Sequence, residues 1–222
     1  VLRPGANFRD DAPTTVIKSG EAEVALAWLG YDGNNLYARW KVLDASPLSN
    51  AGTDSKLLFK TGDSVDLQLG LDPNADVKRS TPAPGDIRLL LTKTKDGASG
   101  VLYRYKVAGT EKPERFWSPT GEVLVDKVET FDAKLLSIET STDKDGYTLS
   151  ATIPWTLLAG AEYAPPVGGA LRGDVGVLFS DPAGATTVER VYQFNKNTNI
   201  VADVPSEIRL HPDAWGALKL GF

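Results

Sequence analysis

The segment NLYARWKV, residues 35–42, alternates apolar and polar side chains along its whole length. Successive side chains of a β-strand point to opposite faces of the sheet, so an extended chain sorts this segment into two faces. One face would carry four apolar residues, Leu36, Ala38, Trp40 and Val42. The other face would carry Tyr37, Arg39 and Lys41. This pattern predicts a half-buried strand that covers a core on one side only.

The same alternation recurs along the chain in SVDLQL (64–69), DIRLLLT (86–92) and YTLSATI (147–153). We predict further strands at 22–28, 100–107, 122–128, 171–180, 188–194 and 217–222. Turns rich in Gly, Pro, Asn and Asp separate these segments, and only DSKLLFK (54–60) and PWTLLAG (154–160) suggest short helical turns. The sequence therefore predicts an all-β fold, an antiparallel β-sandwich of about ten or more strands. We expect a single domain over residues 1–222.

Composition excludes several classes of function. The net charge is −5 and no run of basic residues occurs, which argues against nucleic acid as a partner. No apolar run approaches the roughly 18 residues that span a membrane. The chain has no cysteine, so it can form neither disulfides nor thiolate nucleophiles. Because the sequence begins without methionine, we expect a mature form or a domain of a larger protein.

His211 is the one histidine of the chain, and it lies in RLHPDAWGALKL (209–220). No HExxH or HxH motif surrounds it, and Pro212 favours an extended conformation at the preceding residue. We therefore predict that His211 belongs to a turn before a last strand. With 29 acidic residues, pairs of carboxylates arise by chance and do not indicate glycoside hydrolysis. Since no nucleophile–base motif is visible either, we do not expect an enzyme.

The turn LDPNADVK places Asp72, Asn74 and Asp76 at alternate positions. This spacing resembles the first part of a calcium loop, in which alternate side-chain oxygens converge on the ion. The central glycine and the distal glutamate of a complete EF-hand loop are absent. The turn is therefore either a calcium site or a solvated turn.

Trp117 differs in context from the other tryptophans. Trp28, Trp40 and Trp155 lie in apolar segments and are predicted to be buried. Trp117 lies in the polar stretch EKPERFWSPTGE. It could stack on a sugar ring, because an exposed indole offers a flat apolar face, or it could cover an edge of the sandwich.

Asp66 and Arg88 occupy the polar faces of their predicted strands. If these strands are neighbours, the two side chains meet on one sheet surface. Such a pair can hydrogen-bond sugar hydroxyls, but it can also be an ordinary surface salt bridge.

Four stretches of the chain carry a family resemblance: AWLGYDGNNLYARWKVLDASPL (27–48), GDSVDLQLGLD (62–72), GYTLSATIPWTLL (146–158) and RLHPDAWGALKL (209–220). In this order they resemble motifs of the family 9 carbohydrate-binding modules and their DOMON-like relatives. The resemblance implies a β-sandwich that binds carbohydrate without catalysis and carries structural calcium. It also implies a terminal sugar clamped between two tryptophans.

The resemblance suggests site residues position by position. The first clamp position falls at or next to Phe59 and the second on Phe194, so phenylalanine stands where the family has tryptophan. The family's strand glutamate corresponds to Asp66, and its sugar-binding arginine corresponds to Arg88. Asn195 follows the second clamp position and could supply an amide.

These residues lead to one hypothesis and two alternatives. The first is a non-catalytic carbohydrate-binding module of an exported bacterial polysaccharide-processing protein, located outside the cell or in the periplasm. The second is a structural or partner-binding sandwich of a larger exported protein that has no sugar ligand. A haem-binding DOMON domain is less favoured, because the chain has no methionine and its one histidine lies in the predicted turn.

Overall fold

The computed structural model describes residues 12–165, 170–198 and 201–219. Two antiparallel sheets enclose a hydrophobic core, as predicted. The smaller sheet has the order β1-β2-β3-β11-β10, with bounds Thr15–Ser19, Ala22–Tyr31, Asn35–Leu43, Gly146–Pro154 and Glu139–Asp143.

The larger sheet has the order β13-β12-β4-β5-β6-β9, and β14 also pairs with β12. Its strands in that order are Thr187–Tyr192, Ala170–Ser180, Ser64–Gly70, Asp86–Thr94, Gly97–Arg104 and Lys127–Asp132, with β14 at Gly216–Lys219. A separate hairpin consists of β7 (Glu114–Ser118) and β8 (Gly121–Val125).

The first core lies between the sheets and follows the predicted alternation. Leu36, Ala38, Trp40 and Val42 of β3 are all fully buried in it. Leu67 and Leu89 face them from the larger sheet. Trp155 begins α2 (Trp155–Ala159) and is also buried, as predicted for this segment.

A second hydrophobic core lies on the outer face of the larger sheet. The elements that cover this core form a third layer of the fold. The second core contains Leu90 and Tyr103 from the sheet, Phe59 from α1 (Leu58–Thr61) and Phe116 from the hairpin. Ile208 enters it from α3 (Val204–Ile208). The face that a two-layer sandwich would leave open is therefore closed by α1, α3 and the β7–β8 hairpin.

One strand prediction is wrong. The stretch 122–128 is not a single strand, because β8 ends at Val125 and β9 begins at Lys127. Between them, the carboxylate of Asp126 accepts a hydrogen bond from the Val107 amide at 2.7 Å. The chain changes partners at this residue, since β8 pairs with β7 and β9 pairs with β6.

The described residues contain no helix long and apolar enough to cross a membrane. Residues 220–222 of the predicted last strand lie outside the described part of the chain.

Candidate functional site

Asp66 and Arg88 meet on the outer face of the larger sheet, as strand parity predicted. Asp66 lies on β4 and Arg88 on the adjacent β5. The Oδ2 atom of Asp66 lies 2.7 Å from Nε and 2.6 Å from Nη2 of Arg88. Both residues have no exposed surface.

Other segments add hydrogen bonds to this pair, although Asp66 Oδ1 has no partner among the described residues. Arg88 Nη1 donates to the backbone carbonyl of Glu207 on α3 at 2.8 Å. The Tyr192 hydroxyl donates to Asp66 Oδ2 at 2.6 Å. The Tyr105 hydroxyl donates to the Ile208 carbonyl, which ties α3 to the sheet a second time. The polar face of the sheet is therefore bonded to α3, whereas the alternation in the sequence predicted a face exposed to solvent.

Phe59 is fully buried in the same cluster. Its ring lies 6.1 Å from the ring of Tyr103 and 6.1 Å from that of Phe116, and the guanidinium carbon of Arg88 lies 5.2 Å from its centre. The expectation of an open sheet surface at Phe59, Asp66 and Arg88 thus needs correction, because α3 and the hairpin cover all three. Direct contact between these residues and a sugar stays a prediction, and it requires the cover to move.

The electrostatics of the cluster match its burial. Desolvation alone would lower the pKa of Arg88, but the adjacent Asp66 carboxylate raises it well above its ordinary value. Burial raises the pKa of the Glu207 carboxyl, while Lys60, whose Nζ lies 2.7 Å from Glu207 Oε1, opposes that shift. These charges are compensated by one another, so the cluster behaves as a structural ion network.

Trp117 is exposed, with 57% of its surface accessible. It lies on the outward face of β7, whereas the adjacent Phe116 points into the second core and is buried. The guanidinium carbon of Arg115 lies 5.6 Å from the indole centre, and Arg115 also pairs with Glu122 across the hairpin. This exposure favours the stacking hypothesis over a role in covering the sandwich edge, and stacking stays a prediction.

Phe194 and Asn195 follow β13 and are held by Asp174. The Asp174 carboxylate accepts hydrogen bonds from the Phe194 amide at 3.0 Å and from the Asn195 amide at 2.8 Å. Burial raises the pKa of Asp174 to about 6, although these backbone donors act to lower it. Phe194 is half-buried and packs beside Gly216, where a Cβ atom would lie 2.4 Å from the ring.

The two predicted clamp rings do not face each other. Phe194 packs against the core between the sheets, whereas Phe59 belongs to the core on the outer face of the larger sheet. The structure therefore brings Phe59, Asp66 and Arg88 together but separates them from Phe194 and from the exposed face of Trp117.

The turn at Asp72, Asn74 and Asp76 uses its carboxylates to cap backbone amides. Asp72 Oδ1 accepts from the Asn74 amide and Asp76 Oδ1 accepts from the Lys78 amide, each at 2.9 Å. Across residues 12–165, 170–198 and 201–219, no three or more His, Asp or Glu residues are grouped to hold a metal ion. The calcium site stays a prediction.

His211 has the structural role that its sequence context predicted. It is half-buried and precedes a 3-10 turn at Pro212–Ala214, and its carbonyl accepts from the Ala214 amide at 3.0 Å. Burial lowers the pKa of its imidazole, while Asp213 opposes that shift.

Tyr105, Tyr192, Asp174 and Glu207 were not predicted from sequence as partners of the site. Asp174 was detectable, since a carboxylate inside the apolar strand 171–180 must find buried donors. Glu207 was not, because its bond to Arg88 uses its backbone carbonyl, which carries no sequence signal, and its carboxylate pairs with Lys60 from a distant part of the chain.

The fold is similar to that of a solved structure from Caldicellulosiruptor kristjanssonii, a carbohydrate-binding module family 9 in complex with cellotriose. That match has a TM-score of 0.51 at 17% identity and covers 88% of this chain and 75% of the other. A second structure of such a module from the same organism, in complex with glucose, has a TM-score of 0.47 at 17% identity and covers 89% and 76%. No family model matches the sequence, and no curated protein matches it significantly. This chain thus has a fold like that of the family 9 carbohydrate-binding modules.

Proposed function

We propose that this protein is a non-catalytic carbohydrate-binding module of a larger exported polysaccharide-processing protein and that Trp117 is its glycan contact. The observation that carries the proposal is the 57% exposure of the Trp117 indole. Its support from comparison is that a structure with this fold was solved with cellotriose bound.

The surroundings of Trp117 suit a sugar. An indole face packs against the C–H face of a pyranose ring, and nearby polar groups can bind its hydroxyls. Arg115 and Glu122 supply such groups on the same hairpin. On β7, Arg115 and Trp117 flank the buried Phe116. On β8, Glu122 lies opposite Trp117, so these side chains share the outward face of the hairpin.

The hairpin that carries Trp117 is firmly anchored. Phe116 and Val125 fix it to the second core. At its tip, the hydroxyls of Ser118 and Thr120 donate to Asp203 at 2.5 and 2.6 Å, and Asp203 also caps α3. A platform held at both ends loses little conformational freedom when a ligand binds.

A glycan screen tests this proposal. Wild type and Trp117→Ala would be titrated by calorimetry and affinity electrophoresis against soluble and insoluble glycans, with and without calcium. Leu135→Ala is the control, since Leu135 is similarly exposed at 54% but aliphatic and on another loop. We expect Trp117→Ala to weaken binding by roughly tenfold or more, equivalent to about 1.4 kcal/mol. Equal binding of every neutral glycan by wild type and Trp117→Ala would refute the assignment of Trp117.

One observation favours a second candidate, a structural or partner-binding sandwich without a sugar ligand. The surface that the family resemblance predicts for the sugar is bonded to α3 through Arg88 and Glu207. If the folded wild-type protein binds no glycan in the screen, this candidate replaces the first.

A further inference from the structure

A groove of about 760 Å³ runs along the outer edge of β13, opposite the turn between β1 and β2. Ser19 and Gly20 form one side, and the chain from Val188 to Val191 forms the floor. Asn195, Lys196, Thr198 and Val201 also line it. Trp117 does not line it.

The described lining of the groove has an excess of positive charge. It includes Lys18, Arg190 and Lys196 but one acidic residue, Glu189, which gives a net charge of +2 from three cations and one anion. Glu189 accepts a hydrogen bond from the Ser19 hydroxyl at 2.7 Å. Just outside the lining, Glu23 Oε1 lies 3.9 Å from Lys18 Nζ, so three cations and two anions leave an excess of +1 around the groove. In a chain with a net charge of −5, this groove is a local site of attraction for an anion.

Asn195 presents an oriented donor to this groove. Only 9% of the residue is exposed, and its backbone is held by Asp174. Its Oδ1 accepts from the Asn197 amide at 3.0 Å, which fixes the amide orientation. Within the described part of the chain, Nδ2 has no hydrogen-bond acceptor. The Nδ2 atom is not fully buried, so it reaches solvent, and a ligand oxygen in the groove can accept a hydrogen bond from it.

Apolar and cationic groups complete the site. Val16 and Val188 offer apolar surface to the C–H face of a sugar. Lys196 Nζ donates to the Tyr192 carbonyl at 2.6 Å and to the Lys18 carbonyl at 3.3 Å, so its ammonium is fixed beside the groove. Lys18 is half exposed at 47%, and its Nζ lies 3.9 Å from Glu23 Oε1. An exposed ion pair of this kind contributes little, so Lys18 can turn from Glu23 toward a ligand.

We propose that this groove binds an acidic saccharide, a sugar unit that carries a carboxylate. Asn195 Nδ2 donates to a hydroxyl or ring oxygen, and the ammonium groups of Lys18 and Lys196 bind the carboxylate. The inference extends the proposed function to a class of glycan, and its site is independent of Trp117.

The test compares trigalacturonate with its methyl ester, which has the same sugars without the charge. Calorimetry at low salt should show that the ester binds wild type at least tenfold more weakly. Asn195→Asp removes the amide donor and adds a negative charge that repels the ligand. Lys18→Ala removes one cation without changing a buried group. Each variant should weaken trigalacturonate binding several-fold or more. Lys144→Ala, whose side chain is 89% exposed on another turn, should bind like wild type.

Two results would overturn the inference: equal affinity for acid and ester, or wild-type affinity in both Asn195→Asp and Lys18→Ala. Absence of trigalacturonate binding to wild type would overturn it as well. Trp117→Ala separates this inference from the proposed function, because it should lose the glycan bound at the hairpin and retain trigalacturonate. If trigalacturonate binding is lost in Trp117→Ala alone, the groove assignment fails while the role of Trp117 stands.

Discussion

The guanidinium of Arg88 donates a hydrogen bond to the backbone carbonyl of Glu207 at 2.8 Å, although the two residues are 119 positions apart. A polar sheet face with an Asp–Arg pair could bind sugar hydroxyls. Here the arginine already donates to a carbonyl of the protein itself. This contact explains why we assign glycan recognition to the hairpin and to the groove.

Arg88 should act on stability. Arg88→Ala would leave Asp66 buried without its cation, so we expect a loss of about 3–5 kcal/mol in the free energy of unfolding, measured by urea denaturation. Arg115→Ala is the control, because its ion pair with Glu122 is largely exposed and should contribute within about 0.5 kcal/mol. An Arg88→Ala protein of wild-type stability would show that the ion network does not stabilise the packing of α3 and the β7–β8 hairpin on the sheet.

His211 should contribute to the fold and not to binding. His211→Gln and His211→Ala remove a half-buried ring from the turn before β14, and we expect a loss of about 1 kcal/mol in unfolding free energy. Glycan affinity, measured by calorimetry on the folded variants, should stay at the wild-type value. Loss of binding in a folded variant would mean that His211 has a functional role.

Asp174 predicts a particular pH dependence of stability. Its pKa is raised to about 6 in the folded protein from an ordinary 3.8, so between these values the folded state binds more protons than the unfolded state. Stability from this group therefore increases as the pH falls from about 6 toward about 4, and the penalty for the buried charge is complete above pH 6.

Asp174→Asn isolates this contribution, since the other titrating groups are present in both proteins. The stability of wild type relative to the variant, from urea denaturation at pH 4 to 7, should rise as the pH falls through about 6. A difference that is constant over this range would contradict the raised pKa.

The calcium hypothesis for Asp72, Asn74 and Asp76 makes a direct prediction. A bound ion would raise the melting temperature when calcium replaces a chelator, because binding to the folded state alone stabilises it by about 2.7 kcal/mol at 100 times the dissociation constant. The double variant Asp72→Asn, Asp76→Asn should abolish that shift. A melting temperature that does not respond to calcium would leave these residues as turn caps only.

The sheets were predictable because their alternation is strict. In β3 and β4 every second residue faces the first core, and the same parity placed Asp66 and Arg88 on a shared face. The prediction for 122–128 failed because its local sequence does not show that the chain exchanges β7 for β6 as its partner at Asp126.

The cover over the sheet could not be predicted in the same way. α3 is five residues long, too short for a periodic pattern, and it is fixed by long-range contacts to Arg88 and Tyr105. Whether the polar face of a strand meets solvent or another layer depends on such returning segments. The local sequence around Phe59, Asp66 and Arg88 therefore could not predict whether these residues are exposed.

The central claim is that Trp117 contacts the glycan, and the indole N–H signals of the five tryptophans test it most directly. In an ¹⁵N-labelled protein titrated with the neutral glycan that binds best, we predict a large shift for the Trp117 signal, assigned with Trp117→Ala. The Trp155 and Trp215 signals should stay in place, since these indoles are buried and donate to Asp32 and Gln68. Saturable binding with an unmoved Trp117 signal would contradict the account.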